Sequence, residues 1–241
     1  MNIITNRLYP GGGDVRIDGK NVLENDRALG KVFMMGEQNM YPDGMKVYRA
    51  FEVTAMFHPG FDMAAARDLS GKFGLNVKKR ITALSTGYAS IFRLVLALSV
   101  NTPYLLLDEP VLGLDAQHRE MFYRILMEKY AENPCTVVIS THLIQEVQNL
   151  VEHAVIIRDG RIIRDAPAAD LLADAHTVSG PAALVDAYAA GRQILSAHTL
   201  GGLKTVYVQG EAGHMPQGLE RSGVNLQDYF ISLMGPEEET K

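Results

Sequence analysis

The chain has 241 residues, of which 47% are hydrophobic and 21% charged, a globular composition long enough for one large α/β domain plus a small appendage, or for two small domains. Twenty-eight acidic residues against 23 basic ones give a net charge of −5. That balance argues against nucleic acid as a partner, because a phosphate backbone is gripped by clustered Lys and Arg.

Strand and helix signals alternate along the chain. Val15-Arg16-Ile17 alternates apolar and charged residues and runs into Asp18-Gly19, a strand entering a turn. Lys31 to Met35 reads as a second strand. Helical stretches follow over Lys46 to Met56 and Asp62 to Phe73, separated by His58-Pro59-Gly60, which breaks any helix. From Thr86 to Ser99, the residues Ile91, Leu94, Val95 and Leu98 recur at i, i+3, i+4 and i+7, one apolar helical face with Ser85 at the N-cap position. Tyr104 to Leu107 is a short, wholly apolar run, as expected of a parallel strand covered on both faces.

The second half repeats the pattern. Ala116 to Tyr130 predicts a helix, Thr136 to Ser140 a buried strand, and Leu143 to Leu150 a further helix. Ala154–Arg158 and Arg161–Asp165 flank Asp159-Gly160, the strongest short hairpin signal. This order predicts a parallel α/β sheet with right-handed crossovers. Beyond Pro167 the texture turns Ala- and Gly-rich. His176–Ser179, Pro181–Ala190, Arg192–Ala197 and Leu203–Val208 predict strand, helix, strand, strand. A closing helix over Asn225 to Met234 precedes an acidic run, Glu237-Glu238-Glu239, expected to fray.

A single cysteine, Cys135, excludes a disulfide framework within the chain and suits a reducing compartment. The most apolar stretch, Leu94 to Leu107, is too short for a bilayer span and is broken by Ser99, Asn101, Thr102 and Pro103. The expectation is a cytoplasmic chain whose membrane span, if one matters, belongs to a partner.

Chemistry clusters at strand ends. Asp108 and Glu109 follow Leu105-Leu106-Leu107, at the carboxyl edge of a strand, where open α/β sheets bind ligands. An Asp for Mg²⁺ beside a Glu that polarises water is a recurring arrangement for nucleoside triphosphate hydrolysis. Taken alone, the pair reads more readily as a capped turn. Leu84-Ser85-Thr86-Gly87-Tyr88 opens a helix whose first N–H groups would face an anion; plain N-capping is its simpler reading. Gly113-Leu114-Asp115 follows the carboxylates, and Ser140-Thr141-His142 ends the next strand on the same edge. Gln38 adds a polar group after Lys31–Met35.

With these residues in this order, the sequence resembles the nucleotide-binding subunit of ATP-binding cassette (ABC) transporters, over about Asn2 to Asp165. The residues that carry it are Gln38 with Tyr41-Pro42, Leu84 to Tyr88 (the signature), Leu105 to Pro110 (Walker B), Gly113 to Asp115 (the D-loop) and Ser140 to His142. The signature departs from the usual Leu-Ser-Gly-Gly-Gln at Thr86 and Tyr88. The resemblance implies an α/β, P-loop NTPase-like fold with a helical subdomain near 46–99. It implies a cassette over 1–166 and a small α+β extension over 167–241. It implies Asp108 and Gln38 at Mg²⁺, Glu109 as general base, and His142, Ser85 and Gly87 at a γ-phosphate. Asp115 falls at the dimer interface. ATP and Mg²⁺ are the implied cofactors; a membrane permease and a second cassette are the implied partners, on the inner face of the membrane.

One part is missing from the 241 residues. The family's Gly-x-x-x-x-Gly-Lys-Ser/Thr loop is matched nowhere: Gly19-Lys20, Gly30-Lys31 and Gly71-Lys72 all lack the first glycine and the final hydroxyl. Asn2 to Asn6 look like the tail of the helix that normally follows that loop, so the expectation is a chain beginning just inside it. Charged hydrogen bonds contribute roughly 1.5–3 kcal/mol each. Losing four removes about 6–12 kcal/mol, against roughly 8 kcal/mol for a micromolar site. The chain as written is expected not to hold ATP at its own Asp108. Three readings stay open: an ATPase subunit lacking its start, a degenerate cassette lending only its signature to a partner, or a non-transport ATPase of the wider class.

Overall fold

The computed structural model describes residues 1–42 and 44–234, and the acidic run Glu237–Glu239 lies outside them. They fall into two compact units, Met1–His142 and Leu143–Lys241.

In the first unit, β1 (Arg16–Ile17) and β2 (Lys20–Asn21) form a small hairpin. Asp18 and Gly19 take its turn at φ 50° and 75°, left-handed backbone that matches the twist of paired strands. A short α1 (Asp26–Leu29) leads into β3 (Val32–Met35). Three helices follow: α2 (Val47–Phe57), α3 (Met63–Lys72) and, after a 3₁₀ turn at Ile81–Ala83, α4 (Thr86–Ser99). Asp62 caps α3 by accepting from the Ala64 and Ala65 N–H groups at 2.8 and 2.9 Å. Then come β4 (Tyr104–Asp108), α5 (Ala116–Glu132) and β5 (Thr136–Ser140).

The three longer strands make a parallel sheet in the order β3-β4-β5. The middle strand is the apolar run, and Leu105, Leu106 and Leu107 are buried. Because β4 is central, Asp108 leaves the sheet with β3 on one side and Ser140 of β5 opposite it in register.

The fifth strand corrects an expectation. Its apolar run predicts burial, yet its residues alternate between exposed and half-buried, and Val138 is 41% exposed. It is the edge strand of the sheet, so one flank packs on β4 and the rest of its surface meets solvent. Two helix ends differ as well. Residues 1–8 form hydrogen-bonded turns rather than a helix tail, with Asn6 at φ 55°, a conformation that halts helical propagation. The helix predicted over Leu143 to Leu150 contracts to α6 (Ile144–Val147), whose N-cap Leu143 has no side chain that caps it.

In the second unit, β6 (His153–Arg158) and β7 (Arg161–Pro167) pair antiparallel through Asp159 and Gly160 at φ 51° and 72°, the predicted hairpin. Next come α7 (Ala168–Ala173), β8 (Ala175–Pro181), α8 (Ala182–Ala189), β9 (Gln193–Leu200), β10 (Leu203–Gln209), β11 (Glu220–Gly223) and α9 (Leu226–Met234). The last four strands form an antiparallel sheet ordered β11-β8-β10-β9. The β6–β7 hairpin shares a core with later elements: Ile156 packs with Leu171, Ala175, Val224 and Tyr229.

Candidate active site at the carboxyl edge of the parallel sheet

The edge is organised around Glu109. The chain leaves β4 at Asp108, which is half-buried, and turns at once: Glu109 sits at φ 45° while its N–H donates to the Ser140 carbonyl at 2.8 Å. A left-handed glutamate costs on the order of 1–3 kcal/mol and persists only where its surroundings hold it. Here they do. Oε1 receives the His142 N–H at 3.1 Å and faces His142 Nδ1 at 2.8 Å; Oε2 accepts from Thr141 Oγ1 at 3.0 Å. The Glu109 side chain is 21% exposed and the imidazole 65%. A carboxylate has about four lone-pair positions, so these contacts leave about one for a water. Nδ1 is the ring nitrogen that faces the carboxylate, which leaves Nε2 for another partner.

Glu109 and His142, named separately from the sequence, are thus one unit. Thr141 was legible only as part of a motif, and its role as the second clamp on the carboxylate went unread. A hydroxyl directly preceding a strand-end histidine was the available signal.

The segment Leu84–Tyr88 and the loop after the carboxylates are also brought together. Ser85 caps α4, its Oγ accepting the Tyr88 N–H at 3.4 Å. A Cβ on Gly87 would stand 3.2 Å from the Gly113 carbonyl oxygen, and Gly113 turns at φ 80° over Thr86 and Ser90. Ser90 Oγ donates to the Leu112 carbonyl at 3.0 Å, and Arg93 Nη2 donates to Ser90 Oγ at 3.0 Å. Glycine at 87 lets the loop lie on the helix's first turn.

Asp115 caps α5: one carboxylate oxygen accepts the His118 N–H at 2.9 Å and the other faces His118 Nδ1 at 2.8 Å. The backbone bond first, and the imidazole second, hold its carboxyl below the usual aspartate range. Gln38 is exposed and follows β3 on the same edge of the sheet; it lines a cavity with Tyr41 and Pro42.

No three His, Cys, Asp or Glu side chains converge on a metal position among the described residues. One carboxylate plus waters and substrate phosphates is, however, a set that Mg²⁺ takes, and Asp108 at the strand end fits it. Asp108 thus fits a metal of this kind, and the 241 residues contain no Gly-x-x-x-x-Gly-Lys-Ser/Thr segment.

A parallel sheet with Asp-Glu ending its central strand and an imidazole returning from the neighbouring strand defines the class: the α/β fold of an ATP-binding cassette. Comparison with known proteins agrees. No family model matches. The chain is 22% identical over 162 residues to the ABC transporter ATP-binding protein YtrB of Bacillus subtilis, covering 67% of this chain and 56% of YtrB. It is 27% identical over 173 residues to the ABC transporter ATP-binding protein NatA of the same organism, covering 68% of this chain and 69% of NatA. A solved ATP-binding subunit of an ABC transporter superposes with a TM-score of 0.63 at 20% identity, covering 70% of this chain and 73% of that one. The chain spans about half the length of YtrB. Its homologues and structural neighbours are ATP-binding subunits of ABC transporters, and its fold is their cassette fold.

Proposed function

We propose that the chain is an ATP-hydrolysing subunit of an ABC transporter that works in a cassette pair on a separate membrane permease. The observation that carries this reading is the clamped Glu109 at the end of β4. Glu109 takes the proton of the attacking water. His142 steers the carboxylate through Nδ1 and presents Nε2 to a phosphate oxygen. Asp108 and Gln38 hold Mg²⁺, which when bound neutralises charge on the phosphates. Ser85 and Gly87 complete the site of a facing cassette, and Asp115 lies at the junction between the two.

No helix among the described residues is long and apolar enough to cross a membrane, in keeping with a subunit seated on the cytoplasmic face and spans supplied by the permease. The cassette covers about 1–166, with α2 to α4 as the helical part that meets the permease, and 167–241 is an accessory extension.

A second reading has its own observation. The Ser85–Gly87 turn is packed on Gly113 by contacts that need no glycine-rich loop, so the chain could lend this signature to an intact partner. The gene upstream of Met1 separates the two. An in-frame Gly-x-x-x-x-Gly-Lys-Ser/Thr segment, with phosphate release by the extended product that is lost in Glu109→Gln, supports the first. Absence of that segment, with phosphate release by an intact cassette raised on mixing and lost in Ser85→Arg, supports the second. If the extended product binds Mg-ATP and Glu109→Gln hydrolyses it at the parental rate, the role assigned to Glu109 is wrong.

A further inference from the structure

We propose that the cavity between α2, α4 and the segment following β3 is a binding site for a small amphiphilic anion, an apolar body carrying a carboxylate or phosphate head. The cavity measures about 390 Å³, within the ~300–1,000 Å³ typical of small-molecule sites. Its walls are mainly apolar: Met34 from β3, Val53 and Phe57 from α2, Phe92 and Leu96 from α4. Such walls offer a body of hydrocarbon the burial it lacks in water.

The charged groups of the lining share one sign. Arg7, His58 and Arg93 line the cavity, and among the described residues no aspartate or glutamate does, although the chain as a whole carries a net charge of −5. Arg93 is anchored, its Nη1 donating to the Glu37 carbonyl and its Nη2 to Ser90 Oγ, and its Nε is buried with no acceptor. Glu37, whose field reaches Arg93, is exposed and lies outside the lining. Arg7 stands in the N-terminal turn, and burial lowers its guanidinium from the ordinary value. Burial likewise lowers the His58 imidazole, which meets the edge of Phe33 at 5.1 Å between ring centres. Two guanidiniums partly pulled from water, one of them with a buried Nε that lacks an acceptor, leave a deficit that an anion's charge-assisted hydrogen bonds would fill.

The cavity shares Gln38 with the nucleotide reading, but its test uses no nucleotide, so its failure and that of the ATPase reading are distinguishable. Titration calorimetry of the 241-residue chain with sodium octanoate, octyl phosphate and 1-octanol tests it. At least one anion is expected to bind one to one, about tenfold tighter than octanol. Arg7→Gln and Arg93→Gln are each expected to weaken that anion about fivefold or more and to leave octanol unchanged. Arg93→Gln breaks two hydrogen bonds; should it fail to fold by circular dichroism, Arg7→Gln alone decides. Preference for octanoate or for octyl phosphate identifies the head group. Equal affinity for octanol overturns the anion site, and anion binding indifferent to the arginine substitutions places it elsewhere. No saturable binding of either anion overturns the small-molecule reading, including the case of a cavity that receives a polypeptide segment.

Discussion

Glu109 and His142 are joined twice, through the backbone N–H and through the ring, onto the same carboxylate oxygen at 3.1 and 2.8 Å. The double contact fixes both partners at once. Backbone position sets where β5 ends relative to β4, and ring orientation sets which imidazole nitrogen faces outward. Thr141 holds the other oxygen, so the carboxylate has no free rotation about its last bond.

Glu109→Gln separates charge from shape. The amide retains one oxygen to accept from His142 and turns the other terminus into a donor, so the Thr141 hydroxyl must change from donor to acceptor and every contact loses its charge assistance. A net hydrogen bond contributes about 0.5–1.5 kcal/mol. Urea denaturation is expected to show a loss of about 1 kcal/mol, while His142 gains mobility visible in its ring NMR signals. An unchanged imidazole environment would show that the clamp does not order the ring.

Gly60→Ala is expected to be far worse than its small size suggests. Gly60 accepts the Asn101 N–H at 2.8 Å, and a Cβ there would stand 2.3 Å from the Asn101 carbonyl oxygen. That neighbour is backbone, so no side chain can swing away. Overpacking of this kind costs typically about 1–3 kcal/mol, and the midpoint of urea unfolding should fall accordingly. Its φ is outside the left-handed region, so the loss would come from space rather than from backbone strain.

Much of this architecture was legible because the signals were local. The turn at Asp159-Gly160, the N-cap at Ser85 and the period of Ile91, Leu94, Val95 and Leu98 each act within a few residues. What the sequence did not reveal depends on what lies across space. Thr136 to Ser140 reads as buried because its composition is that of a central strand, and only the order β3-β4-β5 makes it an edge. In the candidate site, residue types at strand ends were readable. The Thr141 contact with Glu109, across 32 positions of chain, and the packing of Gly113 on Gly87 were not.

The edge position of β5 makes a contrasting pair. Leu106 on β4 is 3% exposed and Val138, opposite it in register, is 41% exposed. Leu106→Ala is expected to cost about 2–5 kcal/mol through lost burial and a residual cavity. Val138→Thr should stay within about 0.5 kcal/mol. Thermal melts of the two variants check this, and comparable losses would mean that β5 is covered in solution.

At Asp115 the sign of the pH dependence follows from its cap. Its carboxyl is held below the ordinary range in the fold, so its stabilising effect is present above the unfolded aspartate value and is lost as pH falls through the lower, folded one. The protection of the first-turn amides of α5, taken relative to the intrinsic exchange rate, should therefore fall below about pH 4. Asp115→Asn keeps an oxygen that can cap, and in that variant the acid-side change should disappear.

The second unit carries a dependence on the other side. His176 is 1% exposed, and its Nε2 lies 3.0 Å from the Tyr188 hydroxyl, which itself donates to the Ala212 carbonyl. With that hydrogen committed, the ring must donate through Nε2, so the neutral tautomer with its proton there is the one that fits. Burial lowers the His176 imidazole below its ordinary value, outweighing the opposing effect of the Gly210 backbone; Arg221 and Arg192 add to the lowering. A histidine whose folded value is depressed lends stability above the unfolded value and loses it as pH falls below, since the unfolded chain then binds the extra proton. The protection of β8 and β10 against hydrogen exchange, taken relative to the intrinsic exchange rate at each pH, should accordingly fall as the pH drops below about 6.5. Tyr188→Phe would leave His176 and the Ala212 carbonyl without their partner, at a cost of about 1–3 kcal/mol. In His176→Gln the amide can still donate to Tyr188 but does not titrate, so the protection of these strands relative to the intrinsic rate should become flat between pH 5 and 7, roughly the window in which histidine changes charge. Persistence of the slope in that variant would assign it to another group.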